Sequence, residues 1–334
     1  MNTSLRDKKN RKETFMENTV VFALSSSKQL ASEICQELNL PLGNISINHF
    51  ADKEILVTPK ESIRGKHVYL VQSTNDPVND NLMELLIAID ACKRASAKTI
   101  NAIIPYYGYA RQDRKAAPRQ PISAKLVASL LERAGADRVV TIDLHATQIQ
   151  GFFDIPADDI AANRLIGEYF ESRKDLGDLV VVSPDHGGAV RARKLAEILH
   201  APIAIIDKRR PKPNVAVAMN LIGDVQGKVA IIIDDMVDTG GTIASGVQML
   251  KDHGATKVFV TCSHAILSGP AVERLRATGL EEFVCTNTID QTEHQKEFPE
   301  MKVLSVAPLL ARLISAVENN TSLSAALNKP FMHE

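Results

Sequence analysis

From Val20 onward, short runs rich in β-branched residues alternate with longer stretches whose apolar positions recur at helical spacing. The short runs predict strands over Val20–Leu24, Ile55–Val57, Val68–Val71, Thr99–Ile104, Val139–Ile142, Leu179–Ser183, Ile203–Ile206, Val229–Ile233, Val258–Cys262 and Phe283–Thr286. The longer stretches predict helices over Lys28–Asn39, Asn81–Ser96, Ser123–Ala134, Ala161–Arg173, Gly188–His200, Thr242–His253, Ala271–Ala277 and Pro308–Glu318. Strands that alternate with helices predict mainly parallel sheets with covering helices, an α/β fold. The alternation runs twice, over roughly 20–160 and roughly 161–310. Two stacked α/β domains suit 334 residues better than one very wide sheet. We expect domains at 19–160 and 161–318, with 319–334 as a C-terminal tail. Residues 1–18 are polar, charged and without period, so a disordered basic tail is expected there.

Composition narrows the class. Lys plus Arg is 39 and Asp plus Glu is 40, a net charge of −1, without the basic excess of a general nucleic-acid binder. Trp is absent and aromatics are 4%, so no stacking platform for single strands is expected. No nucleic-acid partner is therefore expected. No apolar run reaches the length of a membrane span, and the N-terminus lacks the apolar core of a secretory signal. Cys35, Cys92, Cys262 and Cys285 form no CxxC pair and fall in apolar segments, as buried thiols do. No membrane association and a cytoplasmic location are the expectations.

The candidate chemistry lies where predicted strands end. Val229–Ile233 runs into Asp234 and Asp235, then Asp238 opens Thr239-Gly240-Gly241-Thr242 before a predicted helix. Glycines let backbone N–H groups close on a phosphate, and a helix N-terminus adds positive potential. At the carboxyl end of a strand the aspartates can hold ribose hydroxyls or the water shell of Mg²⁺. No Gly-Lys-Ser or Gly-Lys-Thr follows, so the loop is not a Walker A loop.

Three further strand ends carry charge. Pro105-Tyr-Tyr-Gly-Tyr-Ala-Arg-Gln-Asp-Arg-Lys115 gathers Arg111, Arg114 and Lys115 beside three of the five tyrosines. Arginine forks bind phosphate and stack on purines. Asp143-Leu-His145 places a carboxylate and an imidazole on one face, and Asp154 and Asp158 follow soon after. Such a group can coordinate Mg²⁺ or hold a phosphate, oxygens being the preferred donors. Val182-Ser-Pro-Asp-His-Gly-Gly-Ala-Val-Arg-Ala-Arg193 repeats the strand–glycine–helix device, with Asp185 at the strand end and His186 beside it. Repetition suggests a site assembled along a sheet edge. Finally, Asp207-Lys-Arg-Arg-Pro-Lys-Pro-Asn214 is basic and Pro-rich, which predicts a mobile lid rather than a helix.

Together these motifs resemble the ribose-phosphate pyrophosphokinases, class I type, over roughly residues 19–318. Asn79-Asp-Asn-Leu-Met-Glu-Leu-Leu86 and Lys93-Arg-Ala-Ser96 match as well. The resemblance implies two stacked phosphoribosyltransferase-like domains. It implies transfer of the diphosphoryl group of MgATP to the 1-hydroxyl of ribose 5-phosphate. Carried onto matching positions, Phe50, Asp52, Lys53, Glu54, Arg111 and Gln112 contact ATP. His145 and Asp185 serve the Mg²⁺ side, with Asp143, Asp154 and Asp158 as secondary candidates. Lys208 and Arg210 are catalytic, and Arg210 also reaches ribose 5-phosphate. Asp234, Asp235 and the loop Asp238, Thr239, Gly240, Gly241 and Thr242 hold that sugar phosphate. A homo-oligomer, hexameric in the family, is implied too. One departure is Lys53, where the family pattern Phe-Ser-Asp-Gly-Glu has glycine. Two other readings stay open: a type I phosphoribosyltransferase, which shares the Thr-Gly-Gly-Thr loop, and a non-catalytic regulatory homologue.

Overall fold

The computed structural model describes residues 18–209 and 218–331. Residues 1–17, expected as a basic tail, and 210–217, which include Arg210 and most of the expected lid, lie outside the described residues. The described chain divides into two compact units.

The first unit comprises 18–160, 288–290 and 305–330. Its chain order is β1 Thr19–Ala23, α1 Lys28–Leu38, β2 Ile45–His49, β3 Ile55–Pro59, β4 His67–Val71, α2 Val78–Arg94, β5 Thr99–Ile104, α3 Ser123–Ala134, β6 Arg138–Ile142 and β7 Ala157–Ile160. A five-stranded sheet has the order β1-β4-β5-β6-β7, and every pairing in it is parallel. Strands buried on both faces read as continuous apolar runs, as Val68–Val71 and Ala102–Ile104 do. Val20, Phe22, Leu70, Leu85, Ile89, Ala102 and Val139 meet in its core. The β2–β3 hairpin is a separate antiparallel ribbon.

The second unit comprises 161–287, 291–304 and Phe331. It contains α4 Asn163–Ser172, β8 Leu179–Ser183, α5 Ala189–Ile198, β9 Ile203–Arg209, β10 Ala218–Ile222, β11 Val229–Val237, α6 Gly241–Asp252, β12 Lys257–Ala265, α7 Ala271–Ala277, β13 Glu282–Thr286, α8 Thr292–Glu297 and β14 Met301–Leu304. The seven strands lie in the order β10-β9-β8-β11-β12-β13-β14. Only β10 runs antiparallel, at an edge. The chain leaves β8 outward through β9 and β10, then returns to the other side of β8 as β11. The gap between β8 and β11 is thus a topological switch point, where open α/β sheets form their ligand crevice. Val180, Val182, Ala230, Ile232, Val260 and Phe283 fill the core.

The expected run of a second domain through 161–318 needs correction. Helices α9, Ala307–Glu318, and α10, Leu323–Leu327, belong to the first unit, and α9 packs on α1. Buried Leu309, Leu310, Leu313 and Ile314 give α9 a broad apolar face that needs such a partner. The expected 319–334 tail carries α10, whose N-cap Ser322 accepts a hydrogen bond from Ala325 N.

Candidate functional site

In the second unit the crevice is built from the ends of β8 and β11. Asp185 follows β8 and is exposed. Its Oδ1 accepts from Gly188 N at 2.9 Å, holding the turn that starts α5. Ser183 Oγ donates to Asp185 O at 2.7 Å and ties the turn to the strand. His186 Nε2 lies 3.0 Å from Asp207 Oδ1. Asp207 is buried and immediately precedes Lys208 on β9. Lys208 pairs through the backbone with Met219 of β10.

Asp234 and Asp235 stand near the end of β11. Asp235 N donates to Asp234 Oδ1 at 2.9 Å. Burial, then the hydrogen bond and charge of Asp235, push Asp234 up to about 8. Arg191 opposes the rise from α5. Its Nη1 is 3.5 Å from Asp234 Oδ1 and 3.3 Å from Asp235 Oδ1. Sequence reading included Arg191 in the Val182–Arg193 motif but gave it no role. Its signal was available: it sits two residues into the helix that leaves the Asp185 turn.

After β11 the chain turns sharply. Gly240 has φ +70°, which glycine adopts without strain, and caps α6 from outside. Ser268 N donates to Asp238 O at 3.0 Å, and Ala244 N to Gly240 O at 2.8 Å. Arg274 on α7 donates to Thr239 O. Thr239 and Thr242 remain exposed. The turn is therefore braced from behind while its hydroxyls and the first N–H groups of α6 stay open, as a helix N-terminus that can receive an anion does. Asp185, Arg191, Asp234, Asp235 and Asp238 to Thr242 thus share one end of one sheet.

In the first unit, Arg111 and Gln112 follow β5 in an exposed loop. Ser123 Oγ donates to Gln112 Oε1, Ala124 N to Gln112 O at 3.2 Å, and Tyr107 OH to Ala124 O at 3.0 Å. Gln148 Nε2 donates to Asp113 Oδ2 at 2.7 Å. That bond links the tyrosine loop to the segment after His145. Asp143, with φ +42°, ends β6, and His145 is exposed beside it. Asp159 is the unforeseen member. It accepts from Thr141 Oγ1 at 2.9 Å and from Leu144 N at 3.0 Å, shaping the Asp143–His145 turn. Asp158 points elsewhere. Alternation along β7 sends it to Arg138, with which it forms an ion pair. The ion pair with Arg138 turns Asp158 away from the face that carries Asp159. Asp154 is exposed, its backbone N–H donating to Glu132. Among the described residues no three His, Cys, Asp or Glu side chains gather as a metal cage.

Phe50 to Glu54 form the tip of the β2–β3 hairpin. Phe50 N donates to Glu54 O and Lys53 N to Phe50 O, both at 2.9 Å. Asp52 Oδ1 accepts from Glu54 N at 3.1 Å. Phe50 is 54% exposed, an apolar ring presented to solvent.

Comparison with known proteins decides the family. Residues 19–135 match the N-terminal domain of ribose phosphate pyrophosphokinase, and residues 208–328 the phosphoribosyl synthetase-associated domain. Ribose-phosphate pyrophosphokinase of Listeria ivanovii is 58% identical over 91% of this chain and 96% of its own length. The chain belongs to the ribose-phosphate pyrophosphokinases. The Bacillus subtilis (strain 168) protein of the same name is 56% identical over 92% of this chain and 96% of its own. Phosphoribosylpyrophosphate synthetase from Mycobacterium smegmatis, a crystal structure, superposes with a TM-score of 0.85 at 47% identity, covering 91% of this chain and 99% of its own. As a member of this family the chain is an enzyme of phosphoribosyl pyrophosphate synthesis, with the expected α/β fold. Among the described residues no helix is long and apolar enough to cross a membrane.

Proposed function

We propose that the protein moves the diphosphoryl group of MgATP to the 1-hydroxyl of ribose 5-phosphate, releasing AMP. The observation that carries this reading is the adjacent pair Asp234 and Asp235 at the switch point, beside a braced glycine turn that opens α6. The turn and Thr239 and Thr242 suit the 5-phosphate, and the acidic pair suits the ribose hydroxyls. In the first unit, Arg111 and Gln112 are assigned to ATP, with Phe50, Asp52, Lys53 and Glu54 on the adenine side.

In the reaction the sugar oxygen attacks the β-phosphorus. A bond forms between that oxygen and phosphorus, the 1-hydroxyl gives up its proton, and the α–β bridging oxygen leaves with AMP. Such transfers depend on alignment and on neutralising charge. We assign that neutralisation to Lys208 and Arg210, with Arg210 also reaching the sugar phosphate.

The donors in each unit suit Mg²⁺ brought in with nucleotide. Each unit offers donors of its own: exposed Asp185 in the second, and the turn bearing Asp143 and His145 in the first, with no closed cage among the described residues. Mg²⁺ commonly keeps several waters and takes one or two carboxylates plus phosphates. When bound it would draw charge from the phosphoryl oxygens. Cys35, Cys92, Cys262 and Cys285 are buried free thiols, which suits a reducing cytoplasm. We also propose a homo-oligomer, a hexamer by family resemblance; sedimentation showing a fully active monomer would contradict it.

The test is to mix ATP, Mg²⁺ and ribose 5-phosphate and follow AMP. AMP that appears only with the sugar present supports the proposal. Pyrophosphate released from phosphoribosyl pyrophosphate plus a base, without AMP formation in the first mixture, would replace it with a transferase. Silence in both would leave a regulatory homologue.

A further inference from the structure

Asp234 and Asp235 carry like charges, touch each other and are largely withdrawn from water: their side chains are 22% and 6% exposed. Such a pair tends to keep a proton and to turn its oxygens toward each other. To receive two neighbouring sugar hydroxyls, the oxygens must instead be ionised and turned outward, since only then can each accept. Something must oppose both tendencies.

Arg191 is placed to do so. Its guanidinium reaches both carboxyl groups through a single nitrogen, at 3.5 Å and 3.3 Å. These are long contacts, so the attraction is chiefly electrostatic and leaves acceptor capacity for a ligand. The side chain is only 19% exposed, where water screens the attraction less. Arg191's own place is fixed: its carbonyl accepts from Asn163 Nδ2 at 3.2 Å. Its helix, α5, emerges from the turn that Asp185 holds. One short segment therefore supplies both the Asp185 carboxylate and the cation that faces the β11 acids.

We propose that Arg191 is a positioning residue of the sugar-phosphate site, fixing the orientation and charge of Asp234 and Asp235 so that they receive the ribose hydroxyls. The inference rests on the ribose-holding role proposed above for that pair. It differs from a phosphate-binding role: the two groups within reach of the guanidinium are carboxylates. It also requires arginine in particular, because a guanidinium stays charged when desolvated whereas an ammonium does not do so reliably.

Steady-state kinetics on the full-length enzyme tests it, with Arg191→Gln, Arg191→Lys and Asp234→Asn compared and each substrate varied in turn. Arg191→Gln should raise KM for ribose 5-phosphate about tenfold, the usual scale for losing one charged contact, and leave KM for ATP within about twofold. Arg191→Lys should recover only part of the loss, since an ammonium cannot fully replace the guanidinium. A structural role alone would move both KM values or neither. If Asp234→Asn raises KM for the sugar phosphate while Arg191→Gln does not, the proposal fails and the ribose role of Asp234 survives. If Asp234→Asn leaves that KM unchanged, the ribose role and this inference fall together. Should Arg191→Gln not fold, Arg191→Lys decides: a selective rise for the sugar phosphate supports the proposal, and parental values overturn it.

Discussion

Tyr69 donates its phenol hydrogen to Glu318 Oε1 at 2.6 Å, joining β4 to the last turn of α9 across 249 positions of sequence. Both side chains are buried. Burial first, and then the bond to Glu318, push the phenol up, so it stays a donor throughout the neutral range. Glu318→Ala leaves that donor without its acceptor inside the protein. The expected loss is about 1–3 kcal/mol, the penalty for a buried unsatisfied group. Glu318→Gln, which keeps an acceptor oxygen, should lose less. Urea denaturation checks this; equal midpoints for Glu318→Ala and the parent would remove α9 from the list of elements that hold the first unit together.

The acidic pair makes stability depend on pH in the opposite sense to a salt-bridged carboxylate. In the sugar-free folded chain burial and then Asp235 push Asp234 up to about 8, against an ordinary value of 3.8, and Arg191 holds it below where those two alone would put it. Between those values the unfolded chain binds fewer protons, so stability falls as pH rises through that window. Asparagine at 234 cannot ionise. Thermal melts of Asp234→Asn and the parent should coincide near pH 4 and separate toward pH 8, the variant being more stable by roughly 1–2 kcal/mol, the usual scale for relieving strain at a functional site. Activity with ribose 5-phosphate should fall in the same variant. A difference that stays constant with pH would contradict the raised value.

Lys53 shows why one departure from the family pattern matters. Sequence alone offers bulk and charge as its consequences. The backbone adds a third: Lys53 has φ +74°, in the left-handed region that glycine enters freely and other residues enter at about 1 kcal/mol. Lys53→Gly should therefore stabilise the hairpin tip by roughly that amount. It should also lower KM for ATP severalfold if the tip meets the nucleotide. Titrating ATP against both proteins reads the second effect, and identical affinities would end the proposed contact.

Parallel strands buried on both faces were legible because their apolar runs leave little ambiguity: Val68–Val71, Val229–Ile233 and Val258–Cys262 were placed from sequence and lie within β4, β11 and β12. β2, β7, β10 and β14 were not. Ile45–His49 is a half-exposed ribbon strand with polar alternate positions, and Ala157–Ile160 carries two acids whose roles split by face. The glycine turn and its acids could be recognised because their chemistry is contiguous. Asp159 could not, since it acts on residues of another strand, and Arg191 showed only its place after the Asp185 turn, not the acids on another strand that it faces. The return of α9 to the first unit was hidden for the same reason: its apolar face shows that it must be covered, but its sequence does not say by what.

Gly108 supplies the sharpest test of the tyrosine loop. A Cβ at this position would lie 2.4 Å from the backbone oxygen of Thr74 and 3.0 Å from its Oγ1. The same threonine hydroxyl accepts from Gly108 N at 2.7 Å, and Thr74 N donates to Tyr106 O at 2.9 Å. The loop is thus clamped to the end of β4 at a spacing that only a hydrogen atom fits. A backbone oxygen cannot step aside as a flexible side chain would. Gly108→Ala must move the loop and with it Arg111 and Gln112. Overpacking of this kind typically destabilises by about 1–3 kcal/mol. An ångström-scale shift of a positioned arginine should reduce kcat/KM for ATP by roughly 100-fold. KM for ribose 5-phosphate should change far less, because the acids and glycine turn assigned to that substrate belong to the other sheet. An equal fall in kcat/KM for ribose 5-phosphate would show that the substitution unfolds the chain rather than displacing the loop; no change for either substrate would take Arg111 and Gln112 out of the nucleotide's reach.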